Sequence, residues 1–168
     1  MNKNLIEKIA PQLTELIDKS RLYYPRAFPR AKYNATRHRW TFPSGATVDF
    51  GSMHTSQDVE SYRGRQFDLI LFDELTHFTW EEYSFMFSRN RPSGPGTFVG
   101  VRATTNPGGV GHTWVKRLFI DRDYRQGENP ADYTFIPAKA SDNGALRKND
   151  PGYLAWLDSL PDGQRQAW

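Results

Sequence analysis

The sequence predicts an α/β fold, a mainly parallel sheet flanked by helices, on three observations. Residues 67–78, FDLILFDELTHF, run four apolar residues (Leu69, Ile70, Leu71, Phe72) straight into two carboxylates, Asp73 and Glu74. A run apolar on both faces suits the interior of a covered parallel sheet. Residues 97–109, TFVGVRATTNPGG, repeat the arrangement, with a short apolar run ending in small polar residues and a Pro-Gly-Gly turn. One helix-length segment lies between the two runs, which is the spacing of a crossover between neighbouring parallel strands.

Taken in order, the chain opens with apolar residues at 5, 6, 9, 13, 16, 17 and 22. Their period of about 3.6 predicts one amphipathic helix over residues 5–22, split or kinked at Pro11. Residues 23–37, YYPRAFPRAKYNATR, read as a basic linker punctuated by proline. Aromatics between basic residues suit nucleic acid, although a solvated loop is the plainer expectation. Residues 39–50 form a β-hairpin around Pro43-Ser44-Gly45. Residues 54–66, HTSQDVESYRGRQ, hold a short helical turn capped by Ser56, and deliver Arg63 and Arg65 just ahead of the acidic strand.

A helix follows over residues 79–89, where Thr79 and Glu82 make a capping box and Trp80, Tyr83 and Phe87 face the core. Residues 91–96 are a loop. After the second strand, residues 112–120 form a helix whose first amides, beside the glycine turn, favour an anion. His112 reads as a surface or capping residue. Residues 131–138, ADYTFIPA, are a third core strand, and residues 141–150 a polar loop. Asp150 and Pro151 start a helix as N-cap and first residue, running to about Leu160, and Pro161 opens a last short one.

Composition narrows the class. A chain of 168 residues is one domain with one core, and its 11 Phe, 8 Tyr and 5 Trp supply much of the burial. The formal charge of +3 is compatible with nucleic acid without being diagnostic of it. Cysteine is absent, which removes disulfides and Cys-ligated zinc. No His/Asp/Glu spacing suggests a structural metal. No apolar run approaches the roughly 20 residues that span a bilayer, the start lacks a signal-peptide core, and no polybasic tail is offered to a membrane. The chain reads as soluble and intracellular.

The chemistry belongs at one edge of the sheet. In open parallel sheets ligands bind beyond the carboxyl ends of the strands. Asp73 and Glu74 emerge there, and paired acids suit a nucleotide: one holds Mg²⁺ through its water shell and the other polarises the attacking water. Thr104, Thr105 and Asn106 emerge at the same edge, where they can hydrogen-bond a phosphate or a water. A solvated acidic turn and an Asn-Pro turn are the plainer alternatives.

FDLILFDE, then a helix, then ATTNPGG with GHTWVKRLF behind it resemble the ATPase domain of the large terminase subunit of tailed bacteriophages, over roughly residues 40–165. FDLILFDE is similar to the family's Walker B strand and ATTNPGG to its coupling motif, and SYRGRQFD also resembles the family pattern. The resemblance implies a phosphate-loop (P-loop) NTPase fold of the additional-strand type, with a catalytic Glu beside the Walker B Asp. It implies ATP and Mg²⁺ as cofactors. Asp73 would hold the metal, Glu74 would orient water, and Thr104, Thr105 and Asn106 would couple hydrolysis to movement. Arg63, ahead of Arg65, would be an arginine finger acting in trans, although an exposed turn is the plainer reading.

As partners the resemblance implies double-stranded DNA, further copies of the chain in a ring on a phage portal, and a small terminase subunit. The setting would be the cytoplasm of the infected host, with no membrane. The family's phosphate loop, G-x-x-x-x-G-K-[ST], is missing, since no Gly-Lys pair occurs in the sequence. The nuclease domain is missing as well. Residues 1–168 are therefore expected to be a partial, truncated ATPase domain, headed by a helix and basic linker over residues 1–38. A helicase or translocase of the same fold, and a non-catalytic remnant that binds partner subunits or DNA, remain as alternatives. In the family the strand leading into the phosphate loop lies between the coupling strand and the next one. A gap one strand wide is accordingly expected between residues 97–105 and 131–138, or else direct pairing of the two.

Overall fold

The computed structural model describes residues 2–7 and 10–160. Six strands, β1 (Asn2–Glu7), β2 (Lys32–Asn34), β3 (Arg39–Thr41), β4 (Thr47–Ser52), β5 (Leu69–Phe72) and β6 (Gly100–Ala103), form one sheet in the order β2-β3-β4-β1-β5-β6. The four strands from β4 to β6 run parallel, and β2 and β3 add an antiparallel end. The expected α/β class and mainly parallel sheet are therefore present. β5, the acidic strand, lies between β1 and β6. Ile70 and Phe72 are buried on one face, whereas Leu69 and Leu71 on the other are only half-buried. The expected cover on both faces is thus uneven.

Helices close both faces. On one, α1 (Ala10–Ala27) packs Leu13, Leu16, Ile17 and Tyr24 against Trp40, Val48 and Phe50. Trp40 donates its indole N–H to the Ser20 hydroxyl at 2.9 Å, which satisfies a polar group that burial would otherwise penalise. On the other face lie α2 (Ser56–Glu60), α3 (Trp80–Phe87) and α4 (His112–Val115), the last winding on as a π-helical turn over Lys116–Ile120. There Ile6, Ile70, Phe72, Phe78, Tyr83, Met86 and Val115 form the larger core. Phe72 meets Phe78 edge to face at 5.0 Å, and Tyr83 meets Trp114 at 4.8 Å. α5 (Gly144–Asn149) and α6 (Pro151–Ser159) follow.

Several expectations hold. Thr79 and Glu82 form the complete capping box of α3, and the Asp150 carboxylate caps α6 by accepting from the Tyr153 N–H at 3.0 Å. Others fail for identifiable reasons. Residues 5–22 are not one helix: the chain runs as β1 and then turns into α1. A short apolar run fits a strand as well as a helix, and the slot between β4 and β5 offers it two parallel ladders. Pro11 falls in the first turn of α1, where a missing N–H is tolerated. The basic segment is not a linker either. Its first part extends α1 to Ala27 and its second pairs as β2 with β3.

Thr55, not Ser56, caps α2, with Asp58 completing the box. On α3, Tyr83 is buried and Trp80 half-buried, but Phe87 is exposed. Residues 131–138 form no strand. Tyr133 and Phe135 do alternate inward, but no strand among the described residues pairs with them, and a 3-10 turn occupies Pro130–Asp132. Neither the one-strand gap nor direct pairing arises; among the described residues the sheet simply ends at β6. Residues 141–150 are not a plain loop, because Asn143 caps α5 through the Leu146 N–H at 3.0 Å. The helix expected from Pro161 lies outside the described residues.

Behind α4, Arg117 makes a two-pronged ion pair with Glu128, both bonds at 2.8 Å, and the Arg125 N–H adds a third bond at 2.7 Å. Bonding to Arg117, then to the Arg125 backbone, holds the Glu128 carboxyl down from an ordinary value near 4.5 to about 2. A depressed folded-state pKa contributes stability that is complete above about pH 4.5 and lost as pH falls through about 2. The Glu128→Gln variant should therefore be less stable than wild type near pH 6. That difference, read from urea midpoints, should shrink steadily as the solution is acidified.

Gly111 stands where the start of α4 meets the end of the acidic segment. A Cβ added there would lie 2.2 Å from the Phe78 carbonyl oxygen and 3.0 Å from that of Thr76. Both are backbone atoms that cannot swing aside. Gly111→Ala should cost about 1–3 kcal/mol by overpacking, measured by urea unfolding.

Candidate functional site: the acidic turn beyond β5

β5 and β6 pair in parallel with Phe72 beside Ala103, so their carboxyl ends leave the sheet together. The ladder continues past both strands. The Thr104 N–H donates to the Phe72 carbonyl at 3.0 Å, and the Leu75 N–H to the Thr104 carbonyl at 2.9 Å. Asp73 and Glu74 lie inside that last rung, both half-buried. Glu74 adopts the left-handed conformation (φ 51°, ψ 59°), which reverses the chain into a 3-10 turn over Leu75–His77. For a residue with a Cβ this costs roughly 1 kcal/mol or more, and such outliers gather at functional sites.

The structure brings all five residues expected at this edge into contact. Thr104 donates its hydroxyl to the Asp73 carboxylate. Thr105 accepts the Thr76 N–H at 3.2 Å. Asn106 takes both oxygens of Glu74: its side-chain amide donates to Oε1 at 2.9 Å and its backbone N–H to Oε2 at 3.3 Å. Three consecutive residues therefore each grip a different residue of the acidic turn.

Thr76 escaped sequence reasoning. It is 1% exposed, and its hydroxyl donates to the Asn106 carbonyl at 2.7 Å while its own carbonyl accepts the Gly111 N–H at 2.7 Å. A threonine between leucine and histidine carries no signal of this. The glycines did signal tight geometry. Gly108 and Gly109 have φ of +104° and +78°, and a Cβ on Gly109 would sit 2.5 Å from the Thr76 carbonyl oxygen. Of the amides expected to favour an anion at the start of α4, those of Gly111 and His112 are taken up by the carbonyls of Thr76 and Gly109. His112 instead accepts the Gly108 N–H at its Nδ1, 3.1 Å away.

Arg63 is not among the residues gathered at the acidic turn. It lies exposed on the connection from α2 to β5 and pairs with Glu60 one turn back. Arg65 is committed elsewhere. Its guanidinium bonds Asp49, whose carboxylate is 8% exposed and also takes Arg39, and it lies over the rings of Tyr62 and Phe67. That network separates the two arginines: Arg65 pins the connection to the sheet, and Arg63 is left at its surface. On α1, Lys19 is held above its ordinary pKa first by its bond to Glu15 and, more weakly, by the charge of Asp73.

A carboxylate at a strand end can hold Mg²⁺ through water when a nucleotide supplies the remaining ligands. Among the described residues no group of three His, Asp or Glu stands together as a protein cage for a metal. No described helix is long and apolar enough to cross a membrane.

Solved structures share this fold. The large terminase of a thermophilic bacteriophage superposes with a TM-score of 0.69 at 15% identity, covering 98% of this chain and 39% of that one. The same protein in complex with ADP gives 0.68 at 16% identity, covering 98% and 38%. A variant of the Thermus phage P74-26 large terminase ATPase domain gives 0.56 at 14% identity, covering 99% and 74%. The chain thus spans about two-fifths of the thermophilic phage's terminase. No curated protein sequence matches it. Residues 12–167 match the family described as "Terminase large subunit, T4likevirus-type, N-terminal", and the chain belongs to that family.

Proposed function

We propose that this chain carries the Walker B and coupling portion of a P-loop ATPase that drives viral DNA into a capsid. The observation that carries the reading is the grip of Thr104, Thr105 and Asn106 on the acidic turn. It gives the two acids a mechanical connection to the next strand. Structures of the thermophilic phage's terminase with ADP and with ATP-gamma-S support a nucleotide as the ligand.

Asp73 would hold Mg²⁺, and Glu74 would orient the water that attacks the terminal phosphate. Bound Mg-ATP would supply the metal charge and the transferable phosphoryl group. Thr104, Thr105 and Asn106 pass the change at that phosphate to the glycine turn and α4. The 168 residues contain no Gly-Lys pair, so the phosphate cradle comes from another segment. The outer edge of β6, unpaired among the described residues, is where the strand leading into it would add. Arg63, exposed and paired with Glu60, would reach a neighbouring subunit in a ring.

Double-stranded DNA is the cargo, with a portal and a small terminase subunit as partners and the infected host's cytoplasm as the setting. Arg26, Arg30, Lys32 and Arg37 are exposed at the end of α1 and on the β2–β3 end of the sheet, which suits contact with phosphates.

In a large subunit that joins this segment to its phosphate loop, Asp73→Ala and Glu74→Gln should each lower DNA-stimulated hydrolysis roughly a hundred- to ten-thousandfold. Only Asp73→Ala should also weaken Mg-ATP binding, as read by a fluorescent nucleotide. Equal loss of affinity in both variants would remove the separate roles.

Arg63→Ala should leave nucleotide binding intact and slow turnover of the assembled ring roughly a thousandfold or more. Mixed rings of Arg63→Ala and Glu74→Gln subunits should recover part of the activity, since some interfaces then hold one intact copy of each residue. No recovery at any mixing ratio would count against action in trans.

A further inference from the structure

We propose that Arg65 is a positioning residue for the reaction, anchored on Asp49 so that Arg63 meets the terminal phosphate of the neighbouring subunit at a fixed place. The proposal rests on the reading of Arg63 as a finger acting in trans. Such a finger has to be exposed, and its base has to be rigid, because a misplacement of about 1 Å at a reacting group can cost roughly a hundredfold in rate. Exposure alone supplies only the first. The Arg63 side chain is 68% exposed, and Gly64 follows it at φ +75° on a connection outside any strand.

β4 supplies the rigidity. Residues two apart on a strand share a face, and Asp49 and Gly51 are such a pair. They receive the two residues that flank the Arg63–Gly64 tip. Arg65 donates to Asp49 Oδ2 at 2.5 Å. Tyr62 lies so close over Gly51 that a Cβ there would stand 2.0 Å from its hydroxyl oxygen. The Arg63 N–H donates to the Glu60 carbonyl at 2.9 Å and the Arg65 N–H to the Tyr62 carbonyl at 3.2 Å, which closes the tip into a turn. The Arg65 guanidinium also lies over the rings of the buried Tyr62 and Phe67, 5.5 and 5.1 Å from their centroids. A planar, weakly hydrated guanidinium suits an acid and two rings at once, which an ammonium does not. On its other side Asp49 takes two bonds from Arg39, its direct cross-strand partner on β3, and these fix the plane of the carboxylate. Burying such an acid gains little net stability over an apolar contact; what it contributes is a fixed location. Arg63 itself pairs with Glu60 at the surface, where solvent weakens the pair and a phosphate can take the guanidinium over.

Rings of the large subunit that carries its phosphate loop test the assignment. Arg65→Gln keeps the Arg39–Asp49 pair and should lower kcat of the ring roughly tenfold to a hundredfold, with nucleotide affinity unchanged. Mixing Arg65→Gln with Glu74→Gln subunits should restore part of the turnover, because some interfaces then join a well-placed finger to an intact acidic turn. Damage to the fold would spoil the subunit's own acidic turn as well, so no recovery at any ratio overturns the proposal. Arg39→Gln, which removes the other partner of the same acid, should slow turnover far less, and equal slowing by the two variants also overturns it. Hydrogen exchange over residues 60–67 gives a reading that needs no turnover. Arg65→Gln should speed it roughly tenfold, the order of one lost charge-assisted hydrogen bond, and unchanged exchange overturns the anchor whatever the kinetics show. Full turnover of Arg63→Ala rings would overturn the finger reading and this proposal with it. Slow Arg63→Ala rings beside fully active Arg65→Gln rings would overturn this proposal alone.

Discussion

The parallel register of β5 with β6 is the constraint on which the candidate site depends. Side chains alternate along a strand, so a slip of one residue would turn Asp73 and Thr104 to opposite faces. The ladder guards against this by running one rung past both strands, through Thr104 to Phe72 and Leu75 to Thr104. Inside that rung the acids are held by backbone geometry, and their partners from Thr104 to Asn106 are held by the same bonds. The site is therefore preorganised by main chain before any side chain contributes.

The rest of the molecule keeps that register in place. β1 fills the slot between β4 and β5, and the Asp73 N–H donates to the Ile6 carbonyl at 3.2 Å, so the first strand of the chain reaches the acidic turn directly. Asp49 on β4 ties Arg39 and Arg65 together, clamping the return connection onto the sheet. A buried carboxylate with two guanidiniums is costly to desolvate and severe to break, because losing the acid leaves two cations facing each other. Its effect is to fix where the connection runs and to leave Arg63 outside it.

Where sequence signals were local, they were legible. The capping box at Thr79, the N-cap at Asp150, the apolar run of β5 and the polar ends of both central strands follow from short-range chemistry. Legibility failed where partners far along the chain decide the outcome. Residues 2–7 become a strand because β4 and β5 leave a vacancy between them, and residues 131–138 do not because no described strand pairs with them. The site divides in the same way. Asp73, Glu74, Thr104, Thr105 and Asn106 announced themselves by following apolar runs, but Thr76 takes its importance from Asn106 and Gly111, which no pattern in ELTHF discloses. Ranking Arg63 ahead of Arg65 as an arginine finger rests on motif likeness alone, and what the structure adds is that Arg63 is exposed while Arg65 is bound to Asp49. The physical reason, Arg65's bond to Asp49, is a contact between β4 and the connection that leads into β5.

Glu74 in the left-handed conformation sets stability against chemistry. Glycine or asparagine sits comfortably there and glutamate does not, so the fold would be more stable without the one carboxylate it displays most deliberately. Screening variants of this chain for thermal resistance alone would favour erasing Glu74, and on the role proposed for that carboxylate it would enrich for well-folded molecules without it. A stabilisation programme that keeps the acidic turn intact has to hold that position fixed and seek its gains elsewhere.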